Sequence, residues 1–348
     1  MDIKHKDLPS EDSLHALYVR WCEHYSVKRD LVDKAHHFNV FKENAHMIHK
    51  FNQGDAPYKL SLNLFGDMTD EEVHRAYGRC SNIKSDGRKH RRQGPFRRDA
   101  LVGRKWHISN NKGLPASMDW RKGPSAVTSV KRQGAYCGAC WAFAATAAVE
   151  GINSIRTRNL TSLSAQQVVD CDNGNTGCKG GFAKLGFKYI MQSGGIETEA
   201  KYPYVGHENG HCLVPKPNRN PVVTIDGYKQ VVPNEVVALE QAVATQPMVV
   251  AVDSNSTALV RYGGGVFVGP CGTNLDHGMT VVGYGTSHEY KTPIRYWIVK
   301  NSWGADWGEN GYIRIARMLK GQPKQGMCGI LIDASYPIKF SKKGTMIS

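Results

Sequence analysis

The sequence contains no long apolar run. No stretch of about 18 or more apolar residues occurs, so no membrane-spanning helix is expected, although 41% of the 348 residues are hydrophobic. The first residues, MDIKHKDLPSEDS, are polar and charged, so we expect no signal peptide in this chain. Its length, 36 glycines and 15 prolines indicate a globular, loop-rich protein of two or more units.

The sequence also lacks the motifs of a nucleic-acid binder. The net charge is +14, but no zinc finger, RNA-binding aromatic motif or basic-zipper heptad accompanies it. Much of the excess of basic over acidic residues lies in one stretch. Residues 84–113 carry 10 Lys and Arg against 2 Asp and Glu, whereas residues 1–83 carry 11 Lys and Arg against 13 Asp and Glu. A basic, protease-accessible linker explains this distribution better than a nucleic-acid arm. We expect neither nucleic acid nor membrane as a partner.

Cysteine usage indicates an oxidising compartment. Seven of the nine cysteines follow residue 113, so six could pair and one would remain. The sequons at Asn159 and Asn255 predict two glycosylation sites and are compatible with a secretory route.

The hydrophobic pattern changes along the chain. Before residue 83 it predicts two amphipathic helices, at about 11–25 and 30–52, and a third helix capped by Thr69 with Glu72. After residue 113 it predicts a buried helix from Cys140 to about 156, a helix capped by Ser164, and another in GFAKLGFKYIMQSGG. After about residue 221 only short Val/Ile/Tyr-rich strands are predicted. The chain is therefore α+β, with a helical half before a β-rich half.

Cys137 and Cys140 form a C-x-x-C pair that has three interpretations. A thioredoxin-like redox pair fits poorly, because here helices precede the strands. A structural zinc site needs a second ligand pair, which the sequence lacks, so we expect no metal, and no cofactor is predicted. The third interpretation is a disulfide cysteine beside a nucleophilic one.

A nucleophilic role for Cys140 requires partners. At the start of a predicted helix the dipole favours a thiolate. An imidazole must pair with it and a third group must orient the ring. LDHGMTVVGYG supplies His277 at the start of a strand, and YWIVKNSWGADWG supplies Asn301 at the end of another.

These residues have the spacing of a known family. CGACW at 137–141, followed by His277 and Asn301, matches the papain and cathepsin signature. The chain resembles papain-family cysteine peptidases from about 114 to 339, through LPASMDWR, GCKGGF, KNSWGADWGENGYIRI and CGILIDASYPIK, and their inhibitory propeptide from about 14 to 72. It is most similar to plant vignain-like and cathepsin L-like proenzymes, although KKGTMIS lacks the KDEL tail that some of them carry.

The resemblance implies an α+β, papain-like two-domain fold. A helical left domain and an antiparallel, β-barrel-like right domain would follow a helical inhibitory prodomain. We expect an inhibitory propeptide at 1–83 with its core at 14–72, a basic activation linker at 84–113, and the peptidase at 114–340. The left part would cover about 124–220 and the right part about 221–340, before a tail at 341–348.

The resemblance also implies roles for single residues. Cys140 would be the nucleophile, His277 its acid/base partner and Asn301 the residue that orients His277. Gln133 would donate to the oxyanion together with the Cys140 backbone N–H. Gln133 precedes Cys140 by seven residues instead of the family's usual six, so we expect a bulge at Tyr136 that keeps the Gln133 amide in reach.

Further positions follow from the same resemblance. The implied disulfides are Cys137–Cys178, Cys171–Cys212 and Cys271–Cys328. The implied substrate-binding residues are Gly180, Gly181, Phe182, Ala183, Ala251, Leu275, Asp276, Gly278, Trp303 and Asp333. Trp303 would cover the His–Asn bond. Asp333 would lie at the floor of the pocket for P2, the second substrate residue before the cleaved bond, where its carboxylate could accept Arg or Lys as well as an apolar side chain.

The propeptide patterns of the family are present with changes. The E-R-F-N-I-N positions are Asp33, His37, Phe41, Asn44, Ile48 and Asn52, of which two are altered, and the G-x-N-x-F-x-D positions are Ser61, Asn63, Phe65 and Asp67, of which one is altered. A folded prosegment would fill the cleft until it is cut. Loss of carboxylate interactions at acid pH, such as those of Asp67, is the hypothesised trigger for its release.

The sequence thus predicts a cysteine endopeptidase made as a zymogen. It would act through an acyl-thioenzyme with a mildly acidic optimum, in a vacuole- or lysosome-like compartment or outside the cell. Expected partners are protein and peptide substrates, the chain's own propeptide and cystatin-like inhibitors, with the enzyme a monomer. The alternatives are an inactive papain-like binding or storage protein, which usually lacks the Cys or the His, and a C-x-x-C oxidoreductase, which a Cys137–Cys178 bond would contradict.

Overall fold

The structure, a computed structural model, describes residues 1, 3–77, 113–215, 221–317 and 319–340. The predicted linker at 84–113 lies outside the described residues except for its last position, and so does the predicted tail at 341–348.

Helices dominate the described part of the prosegment. Its elements are a 3-10 turn (His5–Asp7), α1 (Glu11–Tyr25), α2 (Leu31–Asn52), β1 (Tyr58–Leu60) and α3 (Asp70–Tyr77). The predicted apolar stripe of α1 is buried, at Leu14, Leu17, Tyr18 and Trp21. The predicted cap of α3 forms in both directions: the Thr69 N–H donates to Glu72 Oε2 over 2.7 Å, and the Glu72 N–H donates to Thr69 Oγ1 over 3.2 Å.

A buried carboxylate organises the turn between β1 and α3. Asp67 is fully buried and accepts two hydrogen bonds from the Arg29 guanidinium, over 2.9 and 2.7 Å, and one from the Tyr18 hydroxyl over 3.1 Å. The Asp67 backbone oxygen lies 2.7 Å from His37 Nδ1, and the Asn44 amide donates to the Gly66 carbonyl over 2.9 Å. The propeptide-pattern positions therefore connect α1 and α2 to this turn.

The first half of the remaining chain is helical. Its elements are β2 (Met118–Asp119), α4 (Cys140–Thr157), α5 (Ala165–Cys171), a 3-10 turn (Gly177–Lys179) and α6 (Ala183–Gln192). α4 is buried over most of its length, as its apolar composition predicts. The Ser164 hydroxyl accepts from the Gln167 N–H over 2.9 Å and caps α5.

The second half is a sheet with two short helices. Its elements are β3 (Gly227–Gln230), α7 (Val236–Val243), β4 (Met248–Val252), α8 (Thr257–Val260), β5 (Tyr262–Phe267), β6 (His277–Ser287), β7 (Ile294–Lys300), β8 (Tyr312–Ala316), a 3-10 turn (Met327–Gly329) and β9 (Ala334–Ile338). α7 and α8 lie where only strands were expected. Short apolar runs such as VVALEQAV do not distinguish a helix from a strand by their pattern.

The sheet is open rather than barrel-like. Its order is β1-β5-β8-β7-β6-β4-β9-β3, and β2 pairs with β6 outside this path. The pairs are antiparallel except β5 with β8. β1 and β3 are the two edges, so the sheet does not close, and one edge belongs to the prosegment.

Two buried apolar clusters, together with three disulfides between described residues, hold these parts together. One cluster joins prosegment side chains to the sheet half, and the other surrounds α4 in the helical half. The disulfides are Cys137–Cys178, Cys171–Cys212 and Cys271–Cys328, the pairs implied by the resemblance. Within the described ranges, no helix has both the length and the apolar character needed to cross a membrane.

Candidate active site

Cys140 is the first residue of α4 and lies against the start of β6. The Gly278 N–H donates to the Cys140 sulfur over 3.1 Å. Among the described side chains none caps α4 at Ala139, and the positive end of the helix dipole favours an anion at its first residue, Cys140. In this structure the sulfur is in its disulfide-bonded form, which contradicts the expectation that one cysteine after residue 113 would remain unpaired. The neighbouring Cys137 is bonded to Cys178, which contradicts a Cys137–Cys140 redox pair.

A hydrogen bond orients the His277 ring. His277 Nε2 lies 2.7 Å from Asn301 Oδ1, which also accepts the Ser302 N–H over 2.8 Å. Because that N–H identifies Oδ1 as an acceptor, Nε2 carries the proton and Nδ1 is the nitrogen left to exchange one. The Trp303 ring packs on the imidazole with 4.7 Å between centroids, so it covers the His–Asn bond.

Burial shifts the acidities of the two residues at the start of β6. It lowers the pKa of His277 to about 4 and raises the pKa of Asp276 to about 6. Asp276 Oδ1 accepts the Ser254 N–H over 2.7 Å, and Asp276 Oδ2 lies 3.2 Å from Nδ1 of His74 in α3, without hydrogen-bond geometry. The prosegment therefore contacts the residue next to His277.

Gln133 is fully buried and bonded on both sides of its amide. Its Nε2 donates to the Cys137 carbonyl over 3.4 Å, and its Oε1 accepts the Ser302 hydroxyl over 2.8 Å. The loop that follows turns at Gly134, where φ is +75°, and exposes 95% of the Tyr136 side chain. The additional residue is therefore accommodated on the surface while Gln133 stays inside.

A cavity of about 130 Å³ lies between the two halves beside His277. Most of the predicted substrate-binding residues line it: Gly181, Phe182, Ala183, Ala251, Leu275, Gly278 and Asp333. Lys184, which sequence reasoning did not identify, lines it as well. At its rim, Gly180 has φ +117°, and a Cβ on Gly181 would lie 2.5 Å from Asn175 Oδ1. Glycine is therefore required at both positions.

The prosegment pairs with the sheet next to this site. β1 runs antiparallel to β5, and the Ser61 N–H donates to the Arg261 carbonyl over 2.8 Å. The Asn63 amide donates to the Val260 carbonyl over 2.8 Å. These bonds extend the sheet by strand addition, which stabilises the bound prosegment through the backbone.

Arg261 forms a charged link to the prosegment, which the sequence did not reveal. Its guanidinium is 2% exposed and donates to Asp70 Oδ1 over 2.5 Å and to the Met68 carbonyl over 2.9 Å. The other Asp70 oxygen accepts the Thr257 hydroxyl. No local pattern singles out Arg261, because its partners lie about 190 residues away in the sequence.

Fold and site together define a two-part cysteine protease that carries its own inhibitory prosegment. Residues 114–338 match the papain family cysteine protease model, and residues 18–73 match the cathepsin propeptide inhibitor domain. The chain belongs to the papain family of cysteine proteases. The prediction of a papain-like cysteine endopeptidase with an inhibitory propeptide is thereby confirmed.

Relatives resemble the chain over nearly its whole length. Vignain of Ricinus communis is 49% identical over 341 residues, covering 98% of this chain and 90% of its own. The KDEL-tailed cysteine endopeptidase CEP2 of Arabidopsis thaliana is 47% identical over 342 residues, with the same coverage. The ragweed pollen allergen Amb a 11, solved in its proform, has a TM-score of 0.84 and 39% identity over 100% of this chain and 92% of its own. Similarity to proform structures confirms the papain-like α+β fold with N-terminal propeptide helices.

Proposed function

We propose that Cys140, His277 and Asn301 form the catalytic triad of this endopeptidase. The observation that carries the proposal is the Gly278 N–H bond to the Cys140 sulfur, because it joins the residue after His277 to the nucleophile. The 2.7 Å bond from His277 to Asn301 supports it, since it leaves Nδ1 available for proton transfer.

The proposed reaction has two halves. Once a thiol reductant has cleaved the disulfide at Cys140, the Cys140 thiolate attacks the substrate carbonyl carbon, and the His277 imidazolium gives its proton to the leaving amine as the peptide bond breaks. Water then attacks the acyl-thioenzyme, His277 takes the water's proton, and the thiolate leaves as the carboxylic acid forms. Gln133 Nε2 and the Cys140 N–H stabilise the oxyanion in both halves.

The proposed pH optimum is mildly acidic. His277 must be protonated while Cys140 is ionised, and each charge favours the other. Beneath the prosegment, burial lowers the pKa of His277 to about 4, so the ring is neutral above that pH and the ion pair is disfavoured. Release of the prosegment at acid pH, together with reduction of the disulfide at Cys140, would allow the pair to form.

We also propose how substrates and inhibitors bind, where glycans attach and where the enzyme is located. Protein and peptide chains bind along Gly180 and Gly181, with the P2 side chain in the cavity beside His277 and Asp333 as its charged member. Cystatin-like proteins inhibit the mature monomer. Asn159 and Asn255 are exposed and carry glycans, and the enzyme travels through the secretory pathway to a vacuole-like compartment or out of the cell.

Acid activation tests the assignment. Wild-type, C140S and C22S proenzymes are incubated at pH 4.5 and pH 7 with a thiol reductant, and peptide hydrolysis is then measured. Cys22 is a half-buried prosegment cysteine outside the site, so C22S makes the same chemical change without touching the nucleophile. We expect activation at pH 4.5 in wild type and C22S and none in C140S. An inactive wild type after prosegment removal would overturn the proposal, and equal activation at both pH values would contradict the acid trigger.

A further inference from the structure

A second charged side chain, that of Lys184, lines the cavity beside His277. Lys184 Nζ lies 3.7 Å from Asp333 Oδ2, and the two side chains are 35% and 25% exposed. The other Asp333 oxygen accepts from Gln230 Nε2 over 3.3 Å. The carboxylate that could bind a basic substrate side chain therefore already has a cation beside it.

The ion pair spans the cleft. Lys184 is the second residue of α6 in the helical half, and Asp333 immediately precedes β9 in the sheet half. The first turn of a helix favours acidic side chains and disfavours cations. Lys184 thus occupies a locally unfavourable position, and two contacts offset that cost: Asp333 and the face of Phe182, whose ring centroid lies 5.3 Å from Nζ.

The rest of the cavity is mostly apolar. Among the described lining residues, the only ionisable side chains are Lys184, Asp333 and His277, and the others include Trp141, Val249 and Leu275. An arginine that approaches Asp333 in this space would meet the Lys184 ammonium beside it. A leucine would contact the apolar wall and leave the ion pair intact.

We propose that Lys184 is a specificity-determining residue that holds the Asp333 carboxylate and so selects an uncharged, apolar P2 side chain over a basic one. This inference rests on the proposed function, because it concerns the substrate of the same site. Lys184 and Asp333 would have opposite effects on the binding of a basic P2 side chain. Removal of the lysine releases the carboxylate for a substrate cation, and removal of the carboxylate leaves an unpaired lysine that repels it.

The test measures kcat/KM of the mature enzymes for two fluorogenic peptide amides that differ only in Leu or Arg at P2. K184M keeps the length of the side chain and removes its charge. We expect the Arg/Leu ratio to rise roughly two- to fivefold in K184M, the factor that corresponds to an ion pair of this exposure. We expect D333N to lower the ratio, and K184M/D333N to lose the gain of K184M. Raising the salt to about 0.5 M should reduce the gain, because it screens exposed charges.

Lys188 provides a matched control. It lies one turn further along α6 and lines a separate groove that does not include Asp333. K188M therefore removes the same charge from the same helix and should leave the ratio at the wild-type value. K184Q serves as a second uncharged variant should K184M not fold.

The outcomes separate this inference from the proposed function. If no variant, wild type included, cleaves the P2-Leu peptide, the proposed function fails. If the P2-Leu peptide is cleaved but the ratio in K184M and K184Q equals that of wild type, the role of Lys184 is refuted while the protease assignment stands. The role of Lys184 would also be refuted if the Arg/Leu ratio stayed raised in K184M/D333N, because Lys184 would then not act through Asp333. A raised ratio in K188M would refute it as well, because Lys188 lines a groove that does not include Asp333.

Discussion

Replacing Asp70 by Asn should weaken the inhibitory contact of the prosegment. Asp70 begins α3 and binds two residues of the sheet half, Arg261 and Thr257. Asn keeps the size and an acceptor oxygen but removes the negative charge. The Arg261 guanidinium then stays buried beneath the prosegment without its counter-ion, a state that opening of the prosegment would relieve.

The size of the effect follows from the exposure of the two partners. An exposed ion pair contributes about 0.2–1 kcal/mol, and loss of one partner from a buried pair costs about 3–5 kcal/mol. Here Arg261 is 2% exposed and Asp70 is 41% exposed, so the pair lies between these limits. Since Asn retains an acceptor, we expect D70N to destabilise the closed prosegment by about 1–2 kcal/mol, a factor of roughly 5 to 30 in the opening equilibrium.

Hydrogen exchange measures this equilibrium directly. The proenzyme is prepared with C140S so that it does not process itself. The Ser61 and Val266 amides each bond across the interface, to the Arg261 and Pro57 carbonyls, so they exchange only when the prosegment opens. We expect both amides to exchange roughly 5 to 30 times faster in D70N than in the parent, because both become exposed by the same opening.

Two references make the result specific. D55N changes an exposed prosegment aspartate and should leave exchange unchanged. The Phe41 amide lies inside α2, so it should keep its protection if the prosegment opens without unfolding. Unchanged exchange of Ser61 in D70N, or equal acceleration of Ser61 and Phe41, would refute the reasoning, because the Arg261 contact would then not hold the prosegment closed.

Two further predictions concern the mature site and its pH dependence. Q133A should lower kcat of the mature enzyme by about 10²–10³, because it removes an oxyanion donor. S302A should lower kcat by less, because it removes the 2.8 Å hydroxyl bond to the Gln133 amide but leaves the donor in place. Equal activity of Q133A and wild type would exclude Gln133 from the oxyanion hole. D276N should make prosegment opening depend more steeply on acid. We expect opening to expose both groups and return their pKa values to the ordinary ones. Between about pH 4 and 6.5, opening would then let His277 bind a proton, so a lower pH favours opening. Between about pH 3.8 and 6, opening would make Asp276 release a proton, so a higher pH favours opening. Only the His277 effect remains in D276N, so its exchange rates should rise more steeply than those of the parent as the pH falls from 6 to 4. The same pH dependence in D276N and the parent would contradict this prediction.

Local chemistry made much of the site predictable. A helix N-terminus stabilises a thiolate, and α4 begins at Cys140. The strand periodicity placed His277 at the start of β6 and Asn301 directly after β7, as observed. Caps such as Thr69 with Glu72 depend on residues three positions apart, so they too can be read from the sequence.

Contacts between distant elements could not be predicted in this way. Lys184 and Asp333 are brought together by the packing of α6 against the sheet half, and neither local pattern contains information about the other. The three-residue β1 pairs with β5 about 200 residues later, where alternation over so few positions does not specify a partner.

Trp303 connects the prosegment to His277. Its ring lies 4.7 Å from the His277 ring and also contacts Phe65 and Tyr77 of the prosegment, with centroids 5.3 and 6.2 Å away. When the prosegment leaves, Trp303 loses both of these rings but keeps an edge-on contact with the fully buried Trp307, 5.1 Å away. Trp307 donates to the Val260 carbonyl, a bond within the sheet half that can remain when the prosegment leaves. The cover over the His–Asn bond is therefore anchored within the mature enzyme, and maturation can expose the cleft while that bond stays shielded from water.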